Sequence, residues 1–182
     1  MRIVTIGRLE WVKRHDRLLE AMRIAVSRGA DVSLDLAGDG PLRSALESQV
    51  ATLGLAARVR WPGGTFDVPE LLASGQVFVS ASVTETFGIA ALEAMTVGLP
   101  VITCDNGGVS ELVEDGVTGR IVRSDRESEA VQGLADALVE LAADPVRRAA
   151  WGQAGARRAI ERFSPVPMAS ATAALYRTML AG

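Results

Sequence analysis

Short apolar runs alternate along this chain with longer stretches whose apolar positions recur at helical spacing. Arg2 to Ile6 (RIVTI) reads as a buried strand, and His15 to Arg28 follows as a helix with Leu18, Leu19, Met22 and Val26 along one side. Val32 to Ala37 is a second strand, closed by Gly38-Asp39-Gly40-Pro41. An amphipathic helix runs from Leu42 to Leu53, and Gly54 ends it. A short strand at Val59 to Trp61 stops at Pro62-Gly63-Gly64, a short helix spans Asp67 to Ala73, and Val77 to Ser80 is the fourth strand. The stretch Glu85 to Pro100 (ETFGIAALEAMTVGLP) then begins a helix at Thr86, Phe87 and Gly88, with the Thr86 hydroxyl available as a cap. From Gly88 to Gly98 it is small and apolar, as suits a helix buried against a sheet. Pro100 to Cys104 is the fifth strand, Val109 to Val113 one or two helical turns, and Gly119 to Val122 a sixth, shorter strand. From Asp125 the pattern is helical throughout. One helix spans about Glu127 to Ala143, a second Pro145 to Glu161, and a last Pro165 or Val166 to Leu180, with Asp144-Pro145 and Ser164-Pro165 as start signals.

Strands that alternate with helices imply an α/β fold. The expectation is a Rossmann-like, doubly wound sheet of six parallel strands, covered on both faces, with further helices at the C-terminal end. The commonest order for six such strands is 3-2-1-4-5-6, which sets the first beside the fourth and makes their carboxyl ends the binding crevice. Two loops would meet there, Gly7 to Lys13 and Ser80 to Gly88. They place Arg8, Lys13, Glu85 and Glu93 around one space. The 182 residues suit a single domain. The chain enters its first strand with almost no lead-in, which suggests a piece of a longer chain.

Composition narrows the function without naming it. A net charge of −3 argues against non-specific nucleic-acid binding and against a broad basic membrane patch. The single cysteine, Cys104, excludes an internal disulfide, and it ends an apolar run as a core thiol would. No Cys/His cluster has metal-site spacing, so no metal is expected. No signal peptide opens the chain, and no uncharged apolar stretch approaches ~18 residues. These features fit a cytoplasmic protein.

Between Glu85 and Asp105 the one charged residue is Glu93. A carboxylate on a helix that buries most of its faces needs a partner or an opening to water. Either Glu93 sits on one wet facet, or a ligand cleft supplies its partners. Arg8 and Lys13, beside the free N–H groups where the Gly88 helix begins, make a suitable site for a phosphate or diphosphate. There is no G-x-G-x-x-G after the first strand and no P-loop, so neither a dinucleotide oxidoreductase nor a P-loop enzyme is supported. His15, the only histidine, opens the first helix, where a surface position is expected. No Ser/His/Asp set can be assembled around it.

Several segments together resemble the carboxy-terminal domain of the retaining GT-B glycosyltransferases of group 1. They are GRLEWVKRHDRLLEAM, LAGDGP, VRWPG, ETFGIAALEAMTVGLPVI and GGVSELVEDGVTG, and they run over nearly the whole length. The E-x7-E spacing of Glu85 and Glu93 within FGI-x-x-LEAM is the specific part. The resemblance implies a donor-binding domain for a nucleoside-diphosphate sugar, such as a UDP- or GDP-sugar, whose hexosyl group passes to an acceptor. On that basis Arg8 and Lys13, in the turn that Gly7 opens, would hold the diphosphate. Glu93 would accept from the ribose hydroxyls and Glu85 from the sugar. The backbone at Phe87, Gly88 and Ile89 would meet sugar and phosphate, and Arg60, Trp61 and Pro62 would lie beside the nucleobase. Glu85, Arg8 and Lys13 are the catalytic expectations, with no metal and no cofactor. Whole members carry a preceding acceptor-binding domain, onto which the 165–180 helix would cross, and can sit peripherally at the inner face of the membrane. Arg14 departs from the family pattern, standing where many members have glycine and where it would crowd the phosphates. The rivals are a sugar-nucleotide epimerase, a phosphorylase, and a stand-alone nucleotide-sugar-binding module. Lys13 is the only lysine, which counts against a pyridoxal-dependent phosphorylase.

Overall fold

Six strands form one parallel sheet in the order β3-β2-β1-β4-β5-β6. They are β1 (Arg2–Ile6), β2 (Ser33–Ala37), β3 (Val59–Gly63), β4 (Val77–Ser80), β5 (Val101–Cys104) and β6 (Gly119–Val122). The computed structural model describes residues 1–63 and 67–164, together with 169, 173, 176, 177 and 179. The helices are α1 (His15–Ser27), α2 (Arg43–Thr52), α3 (Val68–Ala73), α4 (Ile89–Thr96), α5 (Val109–Leu112), α6 (Glu127–Ala143) and α7 (Pro145–Phe163). Most of the 165–180 segment, expected as a last helix, lies outside the described residues.

Successive side chains of a strand leave on opposite faces, so strands buried on both sides read as continuous apolar runs. Ile3, Leu34, Leu36, Val77, Val79 and Ile102 pack on one face beneath Leu18, Leu19 and Met22 of α1, Leu46 and Val50 of α2, and Leu134, Leu138 and Leu141 of α6. Their neighbours Val4, Phe78, Val101 and Ile121 turn to the other face. There they meet Leu71 and Leu72 of α3, Ala91, Ala94 and Met95 of α4, Leu112 of α5 and Ala159 of α7. Small residues set the close approaches. A Cβ on Gly152 of α7 would lie 1.9 Å from the Gly98 carbonyl oxygen, at the turn that follows α4.

One detail departs from the sequence reading. β3 does not stop at Trp61 but runs on through Pro62 to Gly63. It lies at the sheet edge, where the missing proline N–H removes no ladder bond. Trp61 packs beside the core and carries the Arg43 guanidinium 4.3 Å above its ring. The pairing of β1 with β4 covers only Ile3 with Val77 and Val4 with Phe78. The last two residues of each strand therefore run on without pairing to each other, and a crevice opens at the switch point.

Candidate functional site

The crevice is a cavity of about 590 Å³ above the carboxyl ends of β1 and β4. Gly7, Arg8, Lys13 and His15 line it from the β1 side, and Glu85, Phe87, Gly88, Ile89 and Glu93 from the β4 side. Arg60 and Trp61 are not in its lining. Arg60 is instead bound to the buried Asp35, its Nε and Nη2 donating to the two carboxylate oxygens at 2.6 and 2.8 Å. That buried neighbour on β2, which Arg2 also reaches at 2.6 Å, holds the guanidinium that was expected beside the nucleobase.

The two cavity loops hold each other in place. Val83 N–H donates to the Val12 carbonyl at 3.0 Å, joining the loop after β4 to the single 3₁₀ turn at Trp11–Lys13. Glu85 is fixed from the other side, where its N–H donates to Asn106 O at 3.2 Å and its carbonyl accepts from Gly108 N–H at 3.1 Å. Only glycine fits at 108, since a Cβ there would lie 1.9 Å from Thr86 O. The Asn106 side chain is buried as well, its amide donating to Ser82 O at 3.3 Å while its Oδ1 has no partner among the described residues. Behind the loop, α7 acts as a brace. Arg158 donates to the carbonyls of Leu112 and Glu111 at 2.7 and 2.8 Å, and Phe163 meets Phe87 edge-on with ring centroids 5.7 Å apart.

Helix α4 starts differently from its sequence reading. Gly88 is the N-cap, in the left-handed region at φ 89°, and no side chain caps the helix, so the Thr86 hydroxyl does not serve. The Gly88 carbonyl accepts from Leu92 N–H at 3.0 Å. The N–H groups of Ile89, Ala90 and Ala91 have no acceptor within the helix and stand at the cavity with its positive dipole end. α4 buries Ala91, Ala94 and Met95 but exposes Ile89, Glu93 and Thr96. Glu93 is thus solvated, not enclosed, and the burial cost argued from composition does not arise. It still lines the cavity, and its carboxylate has no ion pair or hydrogen bond among the described residues.

The other charges are paired. Lys13 Nζ donates to Glu85 Oε2 at 2.7 Å, with both side chains less than a third exposed at 27% and 22%. Arg8 is 75% exposed, and its Nη2 lies 2.6 Å from Glu10 Oε1. His15 is buried at 4% exposure, contrary to the surface position expected, because the first turn of α1 tucks under the cavity floor. Its Nε2 lies 3.3 Å from Arg8 O. Burial, reinforced by the Lys13 charge, lowers its pKa to about 4 against the pull of that carbonyl, so the ring is neutral at pH 7.

Arg14 does not crowd the cavity. Its backbone takes the left-handed conformation, φ 48° and ψ 43°, that glycine adopts most easily. Its side chain turns away to Asp16 at 3.0 Å and to Glu127, at the start of α6, at 2.7 Å. A second arginine meets Glu127 there, and sequence reasoning missed it. Arg17, almost fully buried, donates to Glu127 at 2.8 and 2.6 Å, to Ala81 O at 3.2 Å and to Cys104 Sγ at 3.5 Å. It ties α1, the β4 loop, β5 and α6 together beneath the cavity. Its signal in the sequence is the four-residue spacing of Arg17, Ala21 and Ala25, a row of small residues at close packing with a cation at its head. The arginine hydrogen bonds hold Glu127 down at about 2, while burial raises the Cys104 thiol.

Residues 2–158 match the family model described as glycosyl transferases group 1. The alpha-D-kanosaminyltransferase of Streptomyces kanamyceticus is 33% identical over 182 residues, which cover 99% of this chain and 44% of that protein. The alpha-maltose-1-phosphate synthase of Mycolicibacterium smegmatis is 42% identical over 119 residues, 64% of this chain and 31% of the relative. Anabaena Alr3699/HepE in complex with UDP superposes with a TM-score of 0.87 at 27% identity, covering 97% of this chain and 48% of that one. The C-terminal domain of a group 1 glycosyl transferase family protein from Francisella tularensis shares the fold, with a TM-score of 0.79 and 24% identity. That match covers 90% of this chain and 86% of the domain. The chain thus spans less than half the length of the first three of these proteins.

Proposed function

The chain belongs to the group 1 glycosyl transferases, and from that premise we propose that it is the donor-binding part of a retaining glycosyltransferase. It holds a nucleoside-diphosphate sugar in the β1/β4 cavity while a separate acceptor-binding domain brings the second substrate. The observation that carries this reading is one space of about 590 Å³ bounded by two cations, two carboxylates and the uncapped start of α4. Lys13, Arg8 and the free N–H groups of α4 suit the diphosphate. As the sugar leaves, the same groups stabilise the charge that develops on it, without a metal and without a cofactor. Glu93, solvated and unpaired at the far side, accepts from the ribose hydroxyls. Glu85 accepts from those of the hexosyl group. A complex of UDP with the related Anabaena protein makes UDP and UDP-sugars the first candidates, and GDP-sugars the next. Cytoplasmic residence, with the whole enzyme peripheral at the inner membrane face, belongs to the same proposal.

A calorimetric panel of UDP, GDP, ADP and their glucose conjugates tests it. One nucleoside diphosphate family binds, and Lys13→Ala weakens that binding by roughly 1.5–3 kcal/mol, the worth of a charge-assisted bond in a partly shielded site. Arg8→Ala costs under about 1 kcal/mol, because this side chain lies in solvent. Binding of none of the nucleotides, or binding indifferent to Lys13, overturns the reading.

A further inference from the structure

We infer that the Lys13–Glu85 ion pair is a selectivity device that favours a sugar nucleotide over the free nucleoside diphosphate; this rests on the donor-site reading above. The pair is built in on both sides. The Lys13 stem lies along Gly7, its Cδ and Cε each 3.6 Å from where a Cβ of residue 7 would be. The Glu85 backbone is held by Asn106 and Gly108, and the carboxylate meets the ammonium at 2.7 Å. The cation that would meet the phosphates is therefore already engaged, and binding them is an exchange of partners.

The two ligands complete that exchange differently. When a sugar nucleotide takes Lys13, hydroxyls of its sugar donate to the Glu85 carboxylate that the lysine has left, and every charge keeps a partner. When the free diphosphate takes Lys13, no hydroxyl replaces the ammonium. Its terminal phosphate carries one more negative charge at neutral pH than its sugar ester, and it faces a carboxylate across a short gap. Glu93 adds a second negative charge to the same cavity, while the neutral His15 offsets neither. Glu85 thus penalises the product of transfer and not the substrate, so the spent diphosphate leaves readily.

The test is a double-mutant cycle read by calorimetry with UDP and UDP-glucose, on the chain itself and on Glu85→Gln, Lys13→Gln and the double variant. Gln keeps the size of both residues, and Glu85→Ala, which also removes the charge, serves as a second probe in the same direction should Glu85→Gln fail to fold. The expected result is that Glu85→Gln binds UDP about 3- to 10-fold more tightly and UDP-glucose more weakly, inverting their preference. In the Lys13→Gln background the gain for UDP is smaller, because Glu85→Gln there relieves only the repulsion and frees no paired cation. Unchanged or weaker UDP binding by Glu85→Gln overturns the inference and leaves the donor site standing. So does an equal gain in both backgrounds, which would be plain repulsion and not an ion pair. Absence of any nucleotide binding by the unmodified chain instead sinks the donor-site reading beneath it.

Discussion

His15 shows how one side chain changes character when its surroundings are known. At the head of α1 it has every sequence feature of a surface residue, yet it lies under the cavity with a pKa of about 4. Linkage fixes the sign of its effect on stability. In the unfolded chain the ring takes up a proton as pH falls below about 6.5, whereas the buried ring stays neutral until about 4. Acid therefore favours the unfolded state through this window, by about 3 kcal/mol in all, and not further below it. His15→Gln keeps a donor for Arg8 O and removes the titration. Denaturant unfolding at pH 7 and pH 4.5 should show a loss in the native chain that is smaller in the variant by most of that amount. Equal losses in both would mean that the ring is not buried neutral. Glu127 acts in a lower window. Its stabilising pairs with Arg17 and Arg14 weaken only as pH falls from about 4.5 toward 2.

At the scale of elements, the chain relies on glycines where one segment's backbone lies against another's. Gly108 brings the turn before α5 against Thr86, and so sets the height of Glu85. Gly152 brings α7 against the turn after α4, away from the cavity. A methyl group at either position must move backbone, at a cost of roughly 1–3 kcal/mol. The two substitutions should separate on function. Gly108→Ala lowers stability and also weakens UDP-glucose binding, whereas Gly152→Ala lowers stability by a similar amount and leaves the affinity as it was. Parallel unfolding and calorimetry on both variants checks this. Equal affinities in the two would mean that the turn at Gly108 does not position the site. The same reasoning gives α7 its part, because its last two turns, through Phe163 and Arg158, hold Phe87 and the carbonyl end of α5 in place.

Across the whole molecule, the sheet order decides where chemistry can happen. Because β1 and β4 diverge after Val4 and Phe78, loops far apart in the chain converge on one opening, with the positive end of α4 aimed at it. If two side-chain cations and that helix end hold the diphosphate as proposed, UDP affinity should be unchanged within about a factor of two by EDTA. A larger fall would mean that a cation is part of the site. Among the described residues, no cluster of three or more His, Cys, Asp and Glu could hold one, and no helix is long and apolar enough to cross a membrane.

The alternation of apolar runs with helical periodicity determined the layers, and five of the six strands end within a residue of their expected limits. The strand order followed from the preferred winding of parallel sheets, and with it the meeting of the loops at Gly7 and Glu85. These features are legible because periodicity and turn residues act over a few neighbours in sequence. The side-chain partners were not legible in the same way. Lys13 pairs with Glu85 across 72 residues and Arg17 with Glu127 across 110. Arg60 closes on Asp35, His15 sinks below the floor, and Glu93 emerges into the solvent at the rim. Each outcome depends on which way a side chain points once its element is docked, and on what lies opposite it. Local pattern cannot specify that, because a charged residue's partner is chosen by the packing of the whole sheet.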